Sequence, residues 1–301
     1  VYRILFLVWV LAFPSLAKAQ THAIEFSKGV NQKVVKEWVD SLAKVSNINS
    51  TTYIRKKVGG EDRLHRSGHR DVIVWIPGTT DLTRDFIVIL WFHGHWGYVP
   101  HRTFQDRTLK QFVPYAQPGN LSTNFVVVIP EMPWSVHTRT PTKRNSMLWM
   151  KPGDFMKFTM QIERILLRHM INTLLEGAKD LSWVRPLGKI DYRVVGHSAG
   201  GSAIKRIAIT GDLCRINPSM IVWSDSSYGR WLDDAWNGCL GSAKIPTEVF
   251  VRKFGPPWRS ATRFIGEFQG QPPFLHLHIK TGKWSHKTIG NNIVTLSGIL
   301  D

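Results

Sequence analysis

Cysteine and acidic side chains are the scarce components of this 301-residue chain, which has two Cys and only 22 Asp+Glu against 39 Lys+Arg. Two cysteines are too few for a disulfide-dense small scaffold or a cysteine-built zinc domain. No period of about 20–50 residues recurs, which excludes solenoids and propellers. The 24 Gly and 16 Pro follow no repeat, so collagen-like and low-complexity readings fail as well. Beyond the first twenty residues no apolar run reaches the length of about 18 that a membrane-spanning helix needs. The excess of basic residues comes without a zinc-finger, RNA-binding or helix-turn-helix signature, and no specific nucleic-acid partner is read from it.

What is present is ample apolar material. The apolar fraction is 43%, with 13 Trp, 15 Phe and 6 Tyr, enough for one large core. Ahead of it, Arg3 precedes an apolar run over residues 4–13, and Ala17-Lys18-Ala19 places small residues at −3 and −1 of a cut before Gln20. This is the three-part pattern of a secretory signal peptide, with an uncleaved anchor as the alternative. The expectation is a signal peptide over residues 1–19 and a single domain over 20–301, secreted or periplasmic. In that compartment Cys214 and Cys239 pair as a disulfide, two unlinked thiols being the other reading. The net charge of +17 suits contact with an anionic surface or acidic polysaccharide through a basic face, unless it serves only solubility.

The chain alternates strand-like and helix-like segments. Strands are expected over residues 52–58, 72–76, 86–92, 125–129, 192–195, 220–223, 249–251 and 274–279. Of these, 86–92 (FIVILWF) and 125–129 (FVVVI) are continuous apolar runs suited to burial on both faces. Helices are expected over 34–45, 104–112, 155–176 with Asp154 as N-cap, 199–209, 261–268 and 292–300. The pattern predicts an α/β class: a mostly parallel central β-sheet sandwiched by helices, with a small cap or none.

Gly196-His197-Ser198-Ala199-Gly200 reads G-x-S-x-G, directly after a strand-like stretch and opening a small-residue helix. A serine lifted on such a tight turn stands clear of the sheet, and the glycines avoid collisions with the neighbouring strand and helix. The N–H of Ala199 then points toward any oxyanion formed at the serine. With this motif in that context, the sequence resembles the α/β-hydrolase family over most of residues 50–301. The resemblance implies a chain order Ser, then Asp or Glu, then His, with the histidine in the loop after the last strand. It thereby implies Ser198 as nucleophile and His286 as base. His276 and His278 compete from inside the preceding strand. Asp225, closing residues 220–223, is the acid, one strand earlier than the commonest family position, and Asp233 and Asp234 are alternatives. The usual position falls near residues 253–257, which hold no carboxylate. Phe92-His93-Gly94-His95-Trp96-Gly97 resembles the family's H-G-x motif, which implies a second oxyanion donor at His95, with Gly94 next. The H-x-H pairs His93/His95 and His276/His278 lack a third ligand at useful spacing, so neither metal nor other cofactor is expected.

Candidate substrate contacts are His197, Trp96, Glu131, Trp134, Tyr228 and Trp284. Residues 133–152 form a possible wall, carrying Trp149, Arg139, Lys143, Arg144 and Lys151 without an acidic residue. Core packing is the competing account of the tryptophans, Trp223 and Trp231 included. The function expected is a serine hydrolase of carboxylic esters, small or polymeric, working through an acyl-enzyme. Two alternatives stay open: a peptidase or cell-wall amidase with the same residues, and a non-catalytic binder of acidic surface polymers.

Overall fold

The computed structural model of the chain describes residues 52–59, 69–95, 108–117, 124–130, 132, 149, 151–177, 187–268 and 272–301. The leader, the helix expected over 34–45, Trp96, Glu131, Trp134 and most of the basic interval 133–152 lie outside them. Eight strands form one sheet: β1 (Thr52–Gly59), β2 (His69–Ile76), β3 (Phe86–Phe92), β4 (Phe125–Pro130), β5 (Ile190–His197), β6 (Met220–Ser224), β7 (Thr247–Arg252) and β8 (Leu275–Lys280). Their spatial order is β1-β2-β4-β3-β5-β6-β7-β8. β2 runs antiparallel to both neighbours and every other pairing is parallel. This is the mostly parallel sheet that the apolar runs predict.

The helices that flank it among the described residues include α1 (Asp154–Gly177), α2 (Gly200–Ile209), α3 (Asp212–Ile216), α4 (Trp231–Ala235), α5 (Pro256–Glu267) and α6 (His286–Ser297). The period of two in each strand splits the interior into two cores. On one face Val88, Leu90, Val126, Val194 and Ile221 pack with Phe155 and Ile162 of α1, Ile204 and Ile207 of α2 and Phe264 of α5. On the other, Ile89, Trp91, Val127, Val195, Val222 and Phe250 meet Phe112 and Ile289, Ile293 and Val294 of α6.

Several boundaries differ from the sequence reading. Helix α6 starts at His286 rather than near residue 292, because the Ser285 hydroxyl accepts the Thr288 N–H at 3.1 Å and caps it; Gly298, in the left-handed region, ends it. Helix α5 starts at Pro256, a proline suiting a first helical position, rather than near residue 261. Of the helix expected over 104–112 the described residues hold a short helical stretch at 108–109, then a 3-10 turn over Val113–Ala116. The interval after Asp225 is no cap: α4 and the turns after it bury Leu232, Ala235, Trp236 and Leu240 in the first core. Trp149 and Trp223 belong to that core too, Trp149 touching Phe92, Phe155 and Phe158.

Cys214 of α3 is disulfide-bonded to Cys239, clamping the β6 segment between them. A loop of that size favours the folded chain by roughly 3 kcal/mol in the chain-entropy account. Asp154 is not the cap of α1 but its first residue. The N-terminus is held by Asp212, fully buried on α3, whose carboxylate accepts the N–H groups of Gly153 at 2.8 and 2.9 Å and Phe155 at 3.0 Å. Substituting Asp212→Ala leaves those donors without their acceptor. The expected loss is about 2–3 kcal/mol of stability, measurable as a lower denaturant midpoint with an unchanged slope.

Candidate active site

The strand order reverses at β3, with β4 on one side and β5 on the other, so the loops leaving β3 and β5 diverge and open a crevice at the carboxyl ends of the strands. Ser198 stands in that crevice. Its φ of +54° is a left-handed conformation that costs a serine energy and is kept only where the surroundings enforce it. They do so here through two bonds: the Ser198 N–H donates to the Ser224 carbonyl at 3.1 Å, and the Ser198 carbonyl accepts the Gly201 N–H at 3.2 Å. The flanking glycines are steric necessities. A Cβ on Gly200 would lie 2.0 Å from the Phe92 carbonyl oxygen, and one on Gly196 would lie 2.6 Å from Ile204 Cδ1.

Asp225 follows β6 and is also held at positive φ, +46°. Its carboxylate is 1% exposed as a residue and fully engaged: Oδ1 accepts the Arg252 N–H at 3.1 Å, and Oδ2 accepts the His286 Nδ1–H at 2.7 Å. Its own N–H donates to the Phe250 carbonyl at 2.7 Å. Because Nδ1 carries the proton toward Asp225, the lone pair of His286 is on Nε2. The competing residues are committed elsewhere. Asp233 is tied to Arg263 at 2.7 Å, Asp234 to Lys205 at 3.5 Å, and His276 and His278 both to Glu248 on β7.

His197 lies beneath His286, the rings stacked with centroids 4.7 Å apart, and its Nδ1–H donates to the Ser224 carbonyl at 3.0 Å. It occupies a packing position between His286 and Gly290 of α6, not an open wall of the crevice. Tyr228 is the candidate contact that the fold brings to the serine: its hydroxyl is in hydrogen-bonding contact with Ser198, and burial raises its pKa above the ordinary value. Trp284 packs against the second core under Lys280.

The loop after β3 comes up against the serine. A Cβ on Gly94 would lie 2.7 Å from Ser198 Cβ and 3.2 Å from Oγ. His93 fixes this loop with both ring nitrogens: Nδ1–H donates to the Gly94 carbonyl at 2.8 Å, and Nε2 accepts the Met132 N–H at 3.0 Å. That engagement, unreadable from spacing, accounts for the first histidine of the H-x-H pair. His95 stands within electrostatic reach of His286; burial and then that neighbour lower its pKa. Ala199 precedes α2, where backbone N–H groups lack intrahelical acceptors.

Strand order, crossover point and a strained serine turn between β5 and α2 together make this an α/β-hydrolase fold, with a serine, an acid–histidine pair and a glycine loop meeting at its crevice. No protein-family model matches the chain, and no curated protein matches it in sequence. Among solved structures it is similar to the fluorophosphonate-binding serine hydrolase F of Staphylococcus aureus, at 13% identity and a TM-score of 0.48 over 84% of this chain and 100% of that one. It is similar to an esterase of Rhizomucor miehei at 13% identity and 0.45, covering 94% of each chain. It is also similar to oligopeptidase B of Trypanosoma brucei at 12% and 0.45, over 83% of this chain but only 37% of the peptidase. At such identities the likeness is confined to the fold.

Two outcomes follow from this geometry. Gly94→Ala must displace either its loop or Ser198, and turnover should fall about a hundredfold or more, as when an oxyanion donor is lost, while circular dichroism stays native. The second concerns pH. Burial, with His286 adjacent, pushes His197 from its ordinary 6.5 down to about 4. Below pH 6.5 the unfolded chain binds a proton that the folded chain refuses until about pH 4. Stability is therefore intact above 6.5 and is lost as pH falls between those values. His197→Gln should flatten that decline, read from unfolding midpoints across the same window.

Proposed function

We propose that the chain is an exported serine hydrolase that cleaves carboxylic esters, its residues 20–301 acting as one hydrolase domain. The observation that carries this reading is the 2.7 Å Asp225–His286 pair at the same sheet edge as Ser198 on its strained turn. In the proposed reaction Ser198 Oγ attacks the acyl carbon while His286 Nε2 takes the hydroxyl proton. Asp225 fixes the tautomer and stabilises the imidazolium. The N–H groups of Ala199 and of the Gly94–His95 loop hold the oxyanion, and Tyr228 lines the crevice beside the nucleophile. As the tetrahedral species collapses, the ester C–O bond breaks and the proton passes from Nε2 to the departing alkoxide. Water then attacks the acyl-enzyme, again giving its proton to Nε2, and the acid leaves as Ser198 recovers its hydrogen. Residues 1–19 and the Cys214–Cys239 disulfide support export.

The test is hydrolysis of p-nitrophenyl esters from acetate to palmitate, alongside Ser198→Ala and labelling by a fluorophosphonate. Turnover and labelling should both vanish in the variant. A chain that is folded and labelled at Ser198 yet inert on every ester, while cleaving anilides, would replace the esterase by an amidase.

A further inference from the structure

The rim beside the acid–histidine pair is basic, and among the described residues its cations meet aromatic rings rather than carboxylates. Arg252 closes β7 and Lys280 closes β8, and the two are register partners on adjacent strands. Like charges placed opposite one another in a sheet are unfavourable unless something neutralises them. Lys253, Lys283 and Lys287 add to the same rim, and residues 249–266 and 275–287 contain no Asp or Glu. None of the five cations has a carboxylate partner among the described residues, although Arg193, Lys205, Arg215 and Arg263 elsewhere each have one.

Arg252 is the member nearest the chemistry. Its backbone N–H holds Asp225 at 3.1 Å, and its side chain folds back over Gly255. Its positive charge also reaches the Tyr228 hydroxyl, the group in contact with Ser198. Next to it Phe254 is 71% exposed, with Lys253 Nζ 4.9 Å from its ring centroid and Trp258 edge-on to it. Phe254 is held at φ +65°, a conformation unfavourable for a bulky side chain. An apolar ring kept in water by a strained backbone, beside cations without carboxylate partners at the carboxyl end of β7, suits a ligand that has both a flat apolar part and a negative charge.

We propose that the tip of β7 is a specificity subsite, in which Arg252 binds a carboxylate carried by the ester substrate and Phe254 supports the apolar part next to it. The proposal rests on the esterase reading above and narrows its substrate class to anionic esters.

A matched pair tests it: 3-acetoxybenzoate and its methyl ester, which differ in one charge far from the scissile acetyl group. The full-length protein at low salt should favour the anion in kcat/KM by about tenfold, and the preference should shrink with added salt. Arg252→Met should erase the ratio and Arg252→Lys should keep part of it. Lys189→Met, at a cation just before β5 and so at the opposite edge of the sheet, should leave it intact. Calorimetric binding of 3-hydroxybenzoate against its methyl ester reads the subsite without turnover and should show the same dependence on Arg252. Equal kcat/KM for the two esters, or a ratio that Lys189→Met reduces as much as Arg252→Met, overturns the subsite. A protein that binds 3-hydroxybenzoate through Arg252 but hydrolyses neither ester retains the subsite and loses the esterase. Should Arg252→Met fail to fold, the Lys variant and the salt series decide alone.

Discussion

Everything at the site depends on how closely backbone approaches backbone where the strand order reverses. β3 and β5 are neighbours, yet the chain leaves their ends in opposite directions, and the turn after β5 must pass under the carbonyl of Phe92 to enter α2. Gly200 makes that passage possible, Gly94 lets the neighbouring loop close on the serine from the other side, and between them Ser198 is fixed at a positive φ. The strain is carried locally by the turn and is opposed by the two cores that clamp the sheet, one under α1, α2 and α5 and one under α6. A hydroxyl fixed in this way has little freedom left to lose when another group is brought against it.

The acid–histidine pair illustrates the same economy of positions. One carboxylate joins three elements: it ends β6, accepts from the last residue of β7 and anchors the first residue of α6. The capping of α6 by Ser285 therefore has a functional side, since it sets where His286 enters the crevice. His197 beneath the ring limits its tilt. Burial keeps His197 neutral, so it puts no positive charge beneath the His286 ring.

How much of this was legible beforehand follows from the range of each interaction. The doubly buried strands 86–92 and 125–129 show as unbroken apolar runs because both faces are covered, and the G-x-S-x-G turn shows by its spacing, although the contact that demands Gly200 comes from Phe92, far back along the chain. The start of α6 was hidden: residues 282–287, GKWSHK, read as polar loop, and Ser285 alone is a weak cap signal. The cap of α1 was invisible, because Asp212 reaches it from 57 residues away. Assigning Trp149 to core and His93 to a loop anchor likewise needs partners far along the chain. Neither the exposure of Phe254 nor the unanswered charge of Arg252 leaves a pattern in the sequence, since both are relations between elements.

The two hydrogen bonds by which Asp225 ties the tip of β6 to that of β7 make the two tips move as one. The same carboxylate holds the first residue of α6, so a displacement of either strand end is passed to the imidazole through a single side chain. The residue is a splice between three elements, and the ring it carries is only as steady as the seam between β6 and β7.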